Sequence, residues 1–430
     1  MKAMIYSIVI ASTLILMMLS LKWFSHWRVG QVRGQTYWFI VLLGALMIWV
    51  LVGFDVAFLL DAWTGSSEMN PLRILGLFFS FTLMAIYLDD IGYIQYLAYV
   101  AMNQAGNSQR RLFFIWFVIV SISTMLTAND IVILTLTPFM IYFAKHTRIS
   151  PIPFLVSQFV AANTWSMLLV IGNPTNIYLA SMFNISFLDY ATVMFLPTLL
   201  TGIVSYGLLV LIFQSALNKP INPVKLDIQL PHPSYRIGIT ILGVAILMMA
   251  LAKPLGVSMD AVTLVAASLL VILVTVKYPK TPFMARTIRR LPYSFIPFFL
   301  GMAILVKAMG LADWTQTVAT LFQSTSPTFS FGVSSFLMAN VINNIPMSLW
   351  FESLIRLQPQ FQLQAVYASI IGSNLGAILT PVGALAGLMW MNVLQTKQVS
   401  YGIGQFLKFG LIFGPILLLV SLLMLDVILR

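Results

Sequence analysis

The chain has no cysteine, three histidines and only 12 acidic residues among 430. The missing cysteines exclude disulfides, thiolate metal sites and a thiol nucleophile. His26, His146 and His232 are scattered over connecting segments and form no metal-ligand pattern. Neither a Ser/His pair nor an HExxH run falls within the apolar segments, and no Gly-Lys-Ser/Thr phosphate cradle occurs, so the chain reads as neither an intramembrane enzyme nor an ATPase. Charged residues make up only 8% of it, too few for the surface of a soluble protein.

What the chain does have is apolar length. Hydrophobic residues account for 60% of it, in runs long enough to cross a bilayer core of roughly 30 Å. Segments of about ten residues that alternate polar and apolar, the mark of a transmembrane barrel, are absent. An all-α polytopic protein of the cell membrane remains. The net charge of +11 would suit nucleic acid, but the basic residues sit in short loops, where they orient a protein in the lipid bilayer.

Plain spans are expected near 3–21, 36–54, 72–97, 190–216, 236–252, 258–276, 292–312 and 403–428. Four other segments read as irregular, though 327–355 could by length alone be one tilted crossing. The stretch 112–143 would be roughly 50 Å long as one straight helix, too long for one crossing and too short for two with a turn. It is expected to be a re-entrant hairpin with its tip near Asn129, and 327–355 is given the same form by symmetry. Segments 151–183 and 362–395 are overlong and interrupted, and read as discontinuous helices; in the first, Pro174 removes a backbone donor and crowds the preceding turn. Residues 1–216 and 236–430 then repeat one order (three helices, hairpin, broken helix, helix), joined by a Pro-rich linker at 217–235. The expected fold is an inverted repeat with about ten transmembrane helices, two re-entrant hairpins and two discontinuous helices.

Charge supports this topology independently. If both hairpins return to the side they entered, the loops 22–35, 98–111, 144–150, 217–236, 277–291 and 396–408 share one face. That face gathers Lys22, Arg28, Arg33, Arg110, Arg111, Lys145, Lys225, Arg290 and other bases, and the positive-inside rule makes it cytoplasmic. The opposite loops hold Asp55, Asp61, Glu68, Asp189, Asp260 and Asp313 with few bases. Both termini then lie outside.

Broken segments at matching positions of two halves point to a transporter's substrate site. In the first half the interruptions are Thr127-Ala128-Asn129-Asp130 and Gly172-Asn173-Pro174-Thr175-Asn176; in the second they are Asn343-Asn344-Ile345-Pro346 and Gly372-Ser373-Asn374-Leu375-Gly376. Amides and freed backbone groups there can hold a small polar solute beside the positive end of a half-helix. The substrate-binding set is accordingly Asn129, Asn173, Thr175, Asn343, Asn344, Ser373 and Asn374. For ion coupling, Asp130 and Asp89 are acids in or near membrane segments that could exchange a proton, while Asn129, Gly172 and Asn176 lie where freed carbonyls could bind a cation. A plainer reading stands beside each. Asn and Asp cap helix starts, Asp89 and Asp90 can be solvated at the interface, Lys307 can snorkel outward, and Asn163, Thr164 and Ser166 can simply bond between helices.

The run Gly372-Ser373-Asn374-Leu375-Gly376-Ala377-Ile378-Leu379-Thr380-Pro381-Val382-Gly383-Ala384-Leu385-Ala386-Gly387-Leu388-Met389-Trp390 resembles the matching segment of the arsenite/antimonite efflux permeases of the ion transporter superfamily. So do Ala128-Asn129-Asp130 through Thr137-Pro138, Asn343-Asn344-Ile345-Pro346, and Leu88-Asp89-Asp90-Ile91-Gly92 followed by Arg110-Arg111-Leu112. The resemblance covers nearly the whole chain in order. It implies a scaffold region and a mobile transport region moving elevator-fashion, and arsenical resistance by an antiporter that exports As(III) or Sb(III) against protons. It also implies a homodimer and, in some systems, a cytosolic ATPase partner. The chain departs from that pattern at Asn163 and Asn374, where an acidic residue is expected. Its loop 172–176 is more similar to the sodium-binding loop of the related dicarboxylate transporters. H⁺ and Na⁺ therefore both stand as coupling ions, with no cofactor.

Arsenous acid is uncharged at neutral pH, so a pocket of Asn, Ser, Thr and backbone groups can recognise it without thiolate. A dicarboxylate would need concentrated positive potential, which helix N-termini and bound sodium could supply. Ion-coupled arsenite efflux is the leading expectation and sodium-coupled transport of a dicarboxylate or other small anion the alternative. A channel subunit driven by a partner ATPase is the alternative of another class.

Overall fold

In hydrocarbon, every backbone N–H and C=O must find its partner inside the chain, and helix is the local solution. The computed structural model describes all residues except 1, 24–25, 30–31, 66–69, 222–229, 321 and 323–325. Glu68, Lys225 and the middle of the expected linker at 217–235 therefore lie outside the described residues. The described chain is helical throughout, save for a small antiparallel hairpin of β1 (His26–Val29) and β2 (Val32–Gln35).

The first series of helices is α1 (Lys2–Trp23), α2 (Thr36–Leu51), α3 (Val56–Thr64), α4 (Pro71–Asp90), α5 (Tyr93–Met102), α6 (Gln109–Leu126), α7 (Asn129–Thr147), α8 (Ile152–Trp165), α9 (Pro174–Met182) and α10 (Phe187–Leu217). The second is α11 (Tyr235–Leu251), α12 (Met259–Lys277), α13 (Phe283–Arg290), α14 (Phe295–Leu311), α15 (Trp314–Thr320), α16 (Pro327–Ile342), α17 (Asn344–Arg356), α18 (Gln362–Leu379), α19 (Leu385–Thr396) and α20 (Ile403–Leu429). Among the described residues, seven helices are long and apolar enough to cross a membrane by length and composition. Side-chain caps fix several starts: Asn70 accepts from Arg73 N at 3.1 Å ahead of Pro71, and Ser186 accepts from Asp189 N at 3.2 Å.

Both stretches expected as hairpins, 112–143 and 327–355, turn back on themselves. α6 and α7, of 18 and 19 residues, are separated only by Thr127 and Ala128. α16 and α17 turn at the single residue Asn343, whose φ of +72° is a conformation Asn tolerates better than most residues. Both broken helices are also present, α8 with α9 and α18 with α19. One expected span was too long: 72–97 stops at Asp90, because Gly92 turns the chain with φ +78° before α5 begins. The short helices α3, α13 and α15 occupy stretches expected to be loops, too brief to show a period in sequence.

Two groups of helices can be told apart by their packing, though they also touch, as where α17 meets α14. In one, α2 lies on α14 and α12 on α4, with α1 against α2 and α11 against α12. In the other, α6 packs on α8, α16 on α18, α10 on α20, and each short half-helix meets the other hairpin, α9 with α17 and α19 with α7. The large exposed side chains, such as Leu211, Leu247, Leu264 and Leu411, would be an aggregation hazard in water and suit a lipid-facing surface. On the face expected outside, three acids are paired: Asp61 with Lys307 at 2.5 Å, Asp189 with Lys253 at 2.6 Å and Asp260 with Arg73 at 2.8 Å. Lys307 also donates to Phe58 O at 3.0 Å, so it clamps α3 to α14.

Candidate functional site

The first broken helix meets α18 at its break; the interruption expected at 372–376 is instead continuous helix, because the second helix breaks only at Thr380–Ala384, where Pro381 ends the backbone ladder. α8 ends at Trp165, a 3₁₀ turn covers Val170–Gly172, and α9 restarts at Pro174. Asn173 caps the new half-helix, its Oδ1 accepting from Thr175 N and Thr175 Oγ1, each at 3.1 Å. The carbonyls freed by the break are taken by Asn176, whose Nδ2 donates to Ser166 O at 2.8 Å and Leu169 O at 3.3 Å. The chain passes so close to itself that a Cβ on Gly172 would stand 2.3 Å from Ser166 O. Glycine is the residue that fits there.

Asn374 crosses from α18 into this break with every polar position filled. Its Oδ1 accepts from Ser166 Oγ at 2.8 Å and Asn173 Nδ2 at 3.0 Å. Its Nδ2 donates to Asn176 Oδ1 at 2.7 Å and Ile370 O at 2.8 Å. Beside it Ser373 Oγ donates to Thr175 Oγ1 at 3.0 Å. Within the second break, Asn340 of α16 donates to Phe336 O at 2.8 Å and Gly376 O at 3.0 Å and accepts from Thr380 Oγ1 at 2.7 Å.

Each hairpin tip is pinned to the broken helix of its own series by an asparagine. Asn129 Nδ2 donates to Asn163 Oδ1 at 3.2 Å, and Asn343 Nδ2 donates to Val382 O at 3.0 Å. Asn129 also caps, accepting from Asp130 N at 3.0 Å. At the second tip Asn344 is buried with its Oδ1 unbonded. Farther along α17, Glu352 accepts from Arg356 and Tyr178, and Arg356 donates to Met182 O at 3.1 Å, which joins the second hairpin to α9.

Between the tips and the expected cytoplasmic loops lies a cavity of about 1270 Å³. Its inner end is bordered by Ala128 and Asp130 of the first tip, Pro174, Asn340, Thr380 and Ile345. Its mouth reaches Arg290, Gln395, Tyr401 and Gly402. The wall facing Asp130 comes from the other helix group and includes Tyr37, hydrogen-bonded to Ser294.

The sequence-derived residues thus fall into three places. Asp130 lines the cavity. Asn173, Thr175, Asn176, Ser373 and Asn374 are bonded to one another behind it, where the first break, with Gly172, meets the middle of α18, while Asn129 and Asn343 at the tips bond to Asn163 and Val382, and Asn344 is buried at the second tip. Asp89 stands apart at the mouth, where Arg290 Nη2 donates to its Oδ2 at 2.7 Å. Sequence reasoning passed over Arg290, which read only as an orienting charge, and over Tyr37, Asn340 and Asn392, which also line the cavity. Asn340 carried a usable signal: it lies one helical turn before Asn343 on the same limb.

Residues 7–372 match the model of the citrate transporter family, CitMHS. The chain belongs to this family. Among its relatives, the arsenical pump membrane protein of Yersinia enterocolitica is 27% identical over 371 residues, covering 80% of this chain and 84% of that one. That of Escherichia coli (strain K12) is 26% identical over 370 residues, with the same coverage. The silicon efflux transporter LSI3 of Oryza sativa subsp. japonica is 30% identical over 175 residues, 40% of this chain and 33% of that one. The crystal structure of the YdaH transporter of Alcanivorax borkumensis superposes with a TM-score of 0.58 over 99% of this chain and 98% of that one, at 16% identity. This likeness speaks for the fold alone. As a member of the CitMHS family, the protein is a multi-pass transporter of small molecules and not an enzyme.

Proposed function

We propose that this CitMHS-family protein exports arsenite and antimonite as their uncharged hydroxides, in exchange for protons. The observation that carries this reading is the make-up of the cavity wall. A mainly apolar wall carries a few amides and hydroxyls, among them Asn340, Asn392 and Thr380, and one carboxylate, Asp130, while the one base among the described lining residues, Arg290, is already bound by acids. Such a wall suits a small neutral hydroxide and lacks the free cations that a carboxylate substrate requires. Relatives named as arsenical pumps and as a silicon efflux transporter favour the same chemistry, since arsenic and silicon both form uncharged hydroxides in neutral water.

Asp130 is the group assigned to proton exchange: it is an acid at membrane depth with direct access to the cavity. Asn129, Asn173, Thr175, Asn343, Asn344, Ser373 and Asn374 shape the site from behind and enter it as the breaks rearrange. The matched order and packing of the two helix series support an inverted repeat of 1–216 and 236–430 in which the hairpins and broken helices move as one body past the other group. The cavity's contact with the basic loops makes this the inward-open state.

Sodium-coupled anion transport is the second reading, favoured by the family's description as citrate transporters. Against sodium at the first break, Asn176 Nδ2 already occupies the carbonyls of Ser166 and Leu169. Purified protein in liposomes separates the two readings. Arsenite accumulation driven by an imposed pH gradient and indifferent to sodium is expected, whereas sodium-driven citrate uptake without arsenite movement overturns the proposal.

A further inference from the structure

Arg290 stands at the end of α13, at the cavity mouth, with each terminal nitrogen of its guanidinium donating to a carboxylate. Nη2 donates to Asp89 Oδ2 at 2.7 Å and Nη1 to Asp90 Oδ1. The carboxylate side chains are buried, 6% and 2% exposed, while that of Arg290 is 42% exposed. Further donors fix them in place: Thr135 Oγ1 reaches Asp89 Oδ1 at 2.7 Å, Gln95 Nε2 the same oxygen at 3.1 Å, and Thr287 Oγ1 reaches Asp90 Oδ2 at 2.8 Å. Two carboxylates against one guanidinium leave one net negative charge, and Asp130 adds a second deeper in.

An arginine presents a planar fork that matches a carboxylate with two parallel hydrogen bonds. Left alone at the mouth of an apolar-walled cavity, Arg290 would be a receptor for carboxylate anions. With both terminal nitrogens engaged by two carboxylates its charge is more than offset, and the residual negative charge acts along the path of any entering anion. Potentials in such a cleft are focused by the low-dielectric walls and screened less than on an open surface.

We propose that Asp89 and Asp90 determine the charge selectivity of this transporter: by over-neutralising Arg290 they bar multiply charged carboxylates from the cavity and leave it open to uncharged hydroxides. The proposal rests on the arsenite reading above and adds the residues that separate this chain's substrate from citrate. Asp89 and Asp90 act through Arg290 and touch no substrate, so they are specificity-determining by position and charge.

The test is equilibrium binding of radiolabelled citrate to purified, monodisperse protein in lipid nanodiscs, across a charge series. From the wild type, R290Q makes the mouth more negative, D90N brings it to neutral and D89N/D90N makes it positive. Citrate affinity is expected to rise about tenfold or more in D90N, and further in the double variant, and to stay at or below the wild-type level in R290Q. T287V loosens the cluster at constant charge and is expected to leave citrate affinity at the wild-type level. A purely structural role for the cluster predicts instead that T287V behaves like D90N. Should the double variant fail to insert, D90N against T287V decides alone. Citrate affinity equal in D90N and wild type, or already as tight in wild type as in D90N, overturns the proposal. Arsenite flux of the wild type, measured separately, reports on the arsenite reading itself.

Discussion

Asn173 Nδ2 donates to Asn374 Oδ1 at 3.0 Å, a bond that ties the restart of the first broken helix to the middle limb of the second. Two residues 201 positions apart thereby tie the break of the first helix, where its own backbone bonds are lost, to the continuous helix α18. Replacing Asn374 by Ala strips partners from Ser166, Asn173 and Asn176 at once. Buried polar groups left unpaired cost about 1–3 kcal/mol each, so N374A is expected to lower the melting temperature by several degrees in detergent and to abolish transport. A thermal-shift assay by size-exclusion fluorescence checks it.

The break itself depends on Gly172. An alanine there would push its Cβ to 2.3 Å from Ser166 O, whereas Gly207 on α10 has nothing within 4 Å of the same position. G172A is expected to lose transport with impaired folding. G207A is expected to be neutral, within about 0.5 kcal/mol of the wild type as at other open positions.

The Thr135–Asp89 bond joins the first hairpin to the helix group that carries Arg290. In the elevator motion proposed above this bond would have to break on the way outward, so it would favour the proposed inward-open state. A hydrogen bond to a charged group contributes about 1.5–3 kcal/mol, and T135V is expected to shift the population outward at least several-fold. The native absence of cysteine makes the readout clean. A single A128C at the inner end of the cavity should react more slowly in T135V with an impermeant thiol reagent applied from the cytoplasmic side.

Lys307 provides the opposite case. It is an intramembrane base by sequence, yet it faces Asp61 and Phe58 on α3 rather than the cavity. Exposed ion pairs contribute about 0–1 kcal/mol, so K307M is expected to transport at near the wild-type rate with only a small loss of thermal stability.

The architecture was legible because each signal had a single physical cause. Length against bilayer thickness exposed 112–143 and 151–183 as irregular, and Pro174 with its flanking amides located a break to the residue. Gly92 was in plain view but was read through, because an isolated glycine within an apolar run looks tolerable until its backbone angle is seen. The site was legible in part. Sequence singled out the asparagines at the breaks but could not tell that they satisfy one another, since that depends on which side chains face across 201 positions. Arg290 was hidden by its context: beside Arg286 and Arg289 near a loop it looked topological, and its meaning came only from Asp89 and Asp90, distant in the chain.

The central claim is that Asp130, on the cavity wall, exchanges the proton that drives export. Its most direct test is proton movement recorded with a pH-sensitive dye inside liposomes when arsenite is added, in wild type and in D130N, alongside arsenite counterflow that needs no gradient. Wild type is expected to show arsenite-dependent proton flux, and D130N to lose that flux while still exchanging arsenite. An arsenite-dependent proton flux in D130N equal to the wild type's would contradict the account.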